Sequence, residues 1–430
     1  MSYECCEGVR GLKFSRRYFL KQGGVAMVGL SAMPAFLQRA AAATPMPNKK
    51  QLVVLFQRGA ADGLNIVVPF GEPNYYRLRP SIAIPEPKRG TADAAIDLDG
   101  FFGLHPSLAP LEPLFHKNQL AIVHAAGSPD TTRSHFDAQD YMESGTPGVK
   151  ATDNGWLNRA LEAIPEENAS PFRAVAMGPN LPLTLRGSAP AIALPDLRQF
   201  RVLAQAPGTG QVVEGGFEAM YAQTVDHALH GTGTETFEAI DLLRKADPEK
   251  FTPENGAEYP ANRLGKSLQE ISQLLKANIG VEVLFVDCGG WDNHVNEGGA
   301  QGQLSNLLRD LGKGLAAFHQ DMGDRMQDIV FVTMSEFGRT AKENGNRGTD
   351  HGHANCMFVM GGDVKGGRVY GKWPGLEEHQ LNEGRDLALT TDFRSVLGEA
   401  LTKHIGVPDL SSVFPGFDNN PRKFPGLIRA

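Results

Sequence analysis

The chain has 430 residues, 41% of them hydrophobic and 21% charged, enough for one large core or two domains. A formal charge of -7, with no basic stripe interleaved with aromatics, excludes the usual profile of a nucleic-acid binder. Glycine (49) and proline (28) are abundant without forming a biased run, which points to many loops rather than low complexity.

The N-terminus reads as an export signal. "SRRYFLK" (Ser15 to Lys21) carries the Arg16-Arg17 pair of the twin-arginine motif, followed by the weakly apolar "GGVAMVGLSAMPAFL" and the alanines of "QRAAAATP". Residues 1–43 are therefore predicted to be a signal peptide, with the twin-arginine translocase as a partner during export and the periplasm or extracellular space as destination. The apolar run falls short of the ~20 residues a membrane span needs, and no later segment is long and apolar enough. Only Cys288 and Cys356 remain in the mature chain, which rules out a disulfide framework.

From Leu52 to Phe56 the chain is continuously apolar, as a buried parallel strand would be, and it ends in a glycine-rich turn holding Asp62. A loop rich in proline and charge covers roughly 71–100. "HPSLAPLEPLFHKN" has helical spacing, and "LAIVHAAG" is a second buried strand. "SHFDAQDYMES" reads as a helix with Ser134 as N-cap. "FRAVAMG" and "AIAL" are short strands, and a helical insertion is expected near 205–276. "VEVLFVDCGGWDNH" runs from a strand into a glycine turn. A helix ("LSNLLRDLGKGLAAFHQDM"), the strands "DIVFVTM" and "CMFVMGG", and the helix "TDFRSVLGEALTKHIG" close the chain. Alternation of strands and helices predicts an α/β sheet with helices on its faces, and ligand sites in such sheets lie at the carboxyl ends of strands.

Chemistry-bearing residues gather at those ends. Arg58 and Asp62 follow the first strand. Asp130, Arg133, Ser134, His135 and Asp137 follow the second. Asp287, Asp292 and His294 follow a middle strand. Ser335, Glu336 and Arg339 follow a late one, and "TDHGHAN" adds Asp350, His351 and His353. Imidazoles mixed with carboxylates suit Zn, Mn or Fe, whereas carboxylates alone suit Mg or Ca. Asp62 is equally a turn residue before glycine, and Ser134 equally a helix cap at a point where an anion is favoured. His135 reads as a core or surface histidine. Arg339, close to Glu336, is suited to clamp an anion.

Together, the twin-arginine start, "FQRGAADGLN", "RSHFDAQDYMESG", "GWDNH", "SEFGRT" and "GTDHGHA" resemble the exported bacterial proteins of the domain-of-unknown-function 1501 family. That family in turn resembles the alkaline phosphatase and sulfatase superfamily. The resemblance implies a single domain over 44–430: a three-layer α/β sandwich around a central, mostly parallel sheet. It implies Asp62 as the acid after the first strand, Ser134 as nucleophile, Asp292 and His294 as a ligand pair, and His351 or His353 as a late ligand. "SEFG" stands where the superfamily has Asp-His-Gly, so Glu336 can serve as a ligand and Phe337 cannot. Neither cysteine has the proline and arginine of the aldehyde-forming sulfatase pattern. The implied activity is metal-dependent hydrolysis of a small phosphate or sulfate ester, with Arg133 or Arg339 on the anion. The alternative is a non-catalytic binding or assembly module that keeps the fold with a degenerate metal site.

Overall fold

In a computed structural model the chain is described over residues 49–167, 169–197, 242–243 and 245–429. The expected signal peptide lies outside the described residues, as does the expected helical insertion from 205 to 241.

The strands, in chain order, are β1 (Gln51–Gln57), β2 (Val67–Val68), β3 (Ile96–Asp97), β4 (Gly103–Leu104), β5 (Leu120–Gly127), β6 (Ala174–Met177), β7 (Ala191–Ala193), β8 (Val283–Cys288), β9 (Ile329–Met334), β10 (Asn355–Gly361), β11 (Arg368–Tyr370) and β12 (Thr391–Asp392). Nine of them make one sheet in the order β11-β5-β10-β9-β1-β8-β6-β7, with β12 also paired to β5. β2, β4 and β3 make a small second sheet, with β2 and β4 on either side of the loop expected at 71–100 and β3 near its end.

β1 sits mid-sheet and is parallel to both β8 and β9. Its side chains alternate between two cores. Leu52, Val54 and Phe56 pack on one face, and Val53 and Leu55 on the other. Burial on both faces is what a continuous apolar run without polar alternation encodes. One core is covered by helices α2 (Arg263–Lys276) and α3 (Gln303–Met322), through residues such as Leu268, Ile271, Leu308 and Leu315. The other is covered by Trp156, Leu157 and Leu161, and by Phe393, Val396 and Leu397 of helix α4 (Phe393–Ala400). The result is a central, mostly parallel sheet between helical layers.

β10 alone in this sheet runs antiparallel, between β5 and β9. Its first residue therefore lies at the edge where the parallel strands end. This brings "TDHGH", which precedes β10, to the loops that follow β1, β5, β8 and β9. Cys288 on β8 and Cys356 on β10 are both free thiols. No helix among the described residues is long and apolar enough to cross a membrane.

Candidate metal centre

Helix α1 (His135–Ser144) begins immediately after the loop from β5. Ser134 is its N-cap, and the Ser134 hydroxyl accepts from the Asp137 N–H at a long 3.5 Å. His135, the first residue of the helix, points at the edge of the sheet. Its Nε2 is 3.0 Å from His351 Nε2. His351 Nε2 is also 2.9 Å from His294 Nε2 and 3.2 Å from Asp292 Oδ1. His294 Nε2 stands 3.0 Å from the same Asp292 oxygen. Donor atoms of His135, Asp292 and His351 all lie within 4.8 Å of one another. His294 joins them through His351 and Asp292.

The opposite nitrogen of each ring is held by an acceptor. His135 Nδ1 donates to Glu336 Oε1 over 2.8 Å, His294 Nδ1 to Asp350 Oδ1 over 3.0 Å, and His351 Nδ1 to the Arg133 carbonyl over 2.9 Å. A neutral imidazole has one N–H, so these bonds place it on Nδ1 and turn the Nε2 lone pairs toward one another. Bare nitrogens at 2.9–3.0 Å repel unless a cation or an extra proton lies between them. Imidazoles oriented from behind by carboxylate or carbonyl are the usual support of a metal ligand. The N–N spacing is somewhat under the roughly 3.3 Å expected around tetrahedral zinc. The donor set therefore fits a divalent ion, and its imidazole content suits zinc or manganese better than calcium or magnesium.

Glu336 is fully buried, and its Oε1 also accepts from Gly59 N and Gln139 Nε2, both at 2.9 Å. Burial alone would raise its pKa, but the bonds from His135 and Gln139 outweigh that and hold it low, so it stays ionised. The Glu336 hydrogen bond raises the pKa of His135, against the effect of burial. Burial lowers that of His351, assisted by the charges of His135 and Arg339. Asp292 is held below the usual range because the Arg339 guanidinium outweighs its partial burial.

Close approach of the loops depends on glycine. A Cβ on Gly59, whose φ is +117°, would meet Asp292 N at 2.7 Å, and one on Gly352 would meet Arg339 C and O at 2.3 Å. Phe337 is buried with Ala60 and Ala138, and its ring lies 5.0 Å from that of His135 and 5.1 Å from that of His351. It forms an apolar wall against both imidazoles.

Of the expected ligands, Asp292, His294 and His351 converge. Glu336 and Asp350 stand one bond further out, each on the Nδ1 of a converging imidazole, His135 and His294 respectively. Asp62 is elsewhere. It is buried in a two-pronged ion pair with the fully buried Arg79, one bond being Arg79 Nη2 to Asp62 Oδ1 at 2.9 Å. His353 is also buried, and it stands outside the converging set. The two arginines expected on an anion are committed to the protein. Arg133 donates to Asp386 (2.6 Å) and Glu383 (2.8 Å). Arg339 donates to the carbonyls of Ala60, Thr349, Gly59 and Trp291 and to Asp292 Oδ1. His135, read from sequence as core or surface, is at the centre instead. Its position at a helix start just beyond a strand end was the available signal. Arg385 was not singled out either: its Nη2 donates to the His351 carbonyl at 2.8 Å, and its side chain is 40% exposed.

Residues 49–414 match the family described as "Protein of unknown function (DUF1501)". The chain belongs to that family. No curated protein matches it. Among solved structures, this DUF1501 chain is similar to the C-terminal periplasmic domain of EcEptC from Escherichia coli in complex with Zn, at 10% identity and a TM-score of 0.34, covering 73% of each chain. It is similar to the PsFucS1 sulfatase from Pseudoalteromonas sp., at 12% identity and a TM-score of 0.37, covering 92% of this chain and 76% of that one. A third is the alkaline phosphatase from the Antarctic bacterium TAB5, at 13% identity and a TM-score of 0.30, covering 74% and 93%. The chemistry of those proteins does not come with the likeness.

Proposed function

We propose that this chain is an exported, metal-dependent hydrolase of small phosphate or sulfate esters. The observation that carries the reading is the convergence of His135, His351 and Asp292, with His294 beside them, each imidazole oriented from its far nitrogen. These residues would hold the ion. A divalent ion there supplies a Lewis acid for an ester oxygen and lowers the pKa of a bound hydroxyl or water. Ser134, one residue before His135, is the candidate nucleophile, its hydroxyl only loosely held at 3.5 Å. The first N–H groups of α1 and the helix dipole favour an anion at that point. With Arg133 and Arg339 committed elsewhere, Arg385 at the rim is the guanidinium that would meet the anionic group. The twin-arginine segment supports export to the periplasm or beyond, with the translocase as a passing partner.

The second reading is a metal-binding or assembly module without turnover. The commitment of Arg133 and Arg339 to internal partners favours it. Metal analysis of purified protein, beside an esterase panel of phosphate and sulfate substrates, separates the two. Metal with turnover that Ser134→Ala abolishes supports the hydrolase. Metal without turnover leaves the module, and metal-free, inactive protein overturns the hydrolase reading.

A further inference from the structure

Glu336 is oriented from behind as firmly as it orients His135. Gln139, one turn along α1 from His135, donates its Nε2 to Glu336 Oε1 at 2.9 Å and accepts at its Oε1 from Arg58 Nη1 at 3.0 Å. The amide has one possible orientation, because a guanidinium offers only donors and so must meet the Gln139 oxygen, which leaves the amide nitrogen for Glu336. Arg58 is itself gripped, by Asp287 through Nε at 2.6 Å and by the buried Glu143 through Nη2 at 2.7 Å. A chain of directed hydrogen bonds therefore runs from Arg58 through Gln139 and Glu336 to His135. Its far end surfaces in a cleft of about 910 Å³, whose walls include Arg58, Asp287, Asp140, Glu143 and Arg186.

We infer that Gln139 is a positioning residue for the metal centre, and that Arg58 acts on the centre through Gln139. This rests on the reading of the site as a metal centre. Gln139 donates to the same Glu336 oxygen that His135 Nδ1 meets, so it holds that oxygen in place, and the oxygen in turn keeps the His135 proton on Nδ1 and its Nε2 free for a ligand bond.

The test is zinc affinity, by competition with a chelator, for the wild type, Gln139→Ala, Gln139→Glu, Arg58→Lys and the Gln139→Ala/Arg58→Lys pair. Loss of such outer support typically lowers metal affinity by about 10–100-fold. Gln139→Ala should fall in that range. Gln139→Glu keeps the shape but sets a second carboxylate against Glu336, so it should bind zinc more weakly still. A residue that merely filled space would give the reverse order, with the isosteric glutamate close to wild type. Arg58→Lys should weaken zinc binding in the wild-type background and add nothing in the Gln139→Ala background. Additive losses, or unchanged affinity in both Gln139 variants, would overturn the inference. The His135 Nδ1–H signal in nitrogen-15 NMR of metal-free protein reads the same strut without the ion. If wild type binds no zinc, the metal reading fails alone, and the strut is judged by that signal: a shift in both Gln139 variants upholds it, and no shift in either removes it.

Discussion

His135 and His351 face each other Nε2 to Nε2 across 3.0 Å, with the Nδ1 of each ring already donating elsewhere. Two neutral rings in this arrangement present lone pair to lone pair, so a cation between them relieves a repulsion built into the fold. Zinc added to metal-free protein should therefore raise thermal stability, by about 2.7 kcal/mol at a hundredfold excess over the dissociation constant. Chelator should reverse it. His135→Ala and His351→Ala should abolish the response in differential scanning calorimetry, and an unchanged zinc-dependent shift in either variant would remove that residue from the ligand set.

Arg339 should behave as a stability residue rather than a substrate residue. It is buried, and its donors satisfy four backbone carbonyls and Asp292. Arg339→Ala leaves these acceptors unpaired inside the protein, with an expected loss of roughly 3–5 kcal/mol. Arg339→Lys should recover little, because an ammonium cannot span the positions of a planar fork. Urea unfolding of the metal-free variants decides this. A variant with wild-type stability and only a raised KM would return Arg339 to the role first expected of it.

Ser134 separates two roles by size of effect. Losing a cap as long as 3.5 Å should cost α1 only the lower end of the roughly 0.5–2 kcal/mol typical of N-caps. If the hydroxyl is the nucleophile, Ser134→Ala should lose turnover by orders of magnitude at unchanged metal content. A drop in activity no larger than the drop in folded fraction would leave Ser134 as a cap alone.

A pH dependence follows from a buried acid pair beneath the site. Glu297 is fully buried, and burial, then the neighbouring Asp62 carboxylate, push its pKa well above the ordinary range. Its Oε2 accepts from Thr349 Oγ1 at 2.6 Å, while its Oε1 meets no donor. Protonated, that oxygen becomes the donor and Asp62 the acceptor. The folded chain thus binds this proton more tightly than the unfolded one. Its stabilisation is complete below the unfolded pKa of about 4.5 and is lost as pH rises toward the folded value, at about 1.4 kcal/mol per pH unit. Asp62, held low by Arg79 against the effect of burial, acts oppositely, and its contribution is lost only below pH 3.8. Glu297→Gln keeps a donor toward Asp62 and an acceptor for Thr349, so it should flatten the decline above pH 4.5 in urea midpoints measured across pH. An unchanged slope would mean that Glu297 does not carry it.

What the sequence disclosed depended on how local its cause was. The strands were legible because burial on both faces leaves uninterrupted apolar runs such as Leu52 to Phe56. Asp292, His294 and His351 were legible because each sits in a glycine turn next to a strand. Asp62 was misleading, since its partner Arg79 lies on another segment and nothing in "AADGLN" announces an ion pair. Arg133 and Arg339 were misleading in the same way, because what a guanidinium meets is decided by tertiary contacts. His135 was undervalued because a histidine at a helix start has many ordinary explanations. Only the reversed direction of β10, which brings His351 to it, places it in the converging cluster.

That reversed strand also says where this protein can vary. β9 and β10 are antiparallel neighbours, so the segment between Met334 and Asn355 leaves the sheet at the candidate metal centre and re-enters it there. It is a detour anchored at both ends, unlike the crossovers that join the parallel strands. Its far side, Gly345 to Arg347, is exposed. Lengthening or replacing that tip reshapes what surrounds the His135–His351 cluster without moving a single strand out of register. A family built on this plan can exchange that loop and keep its scaffold.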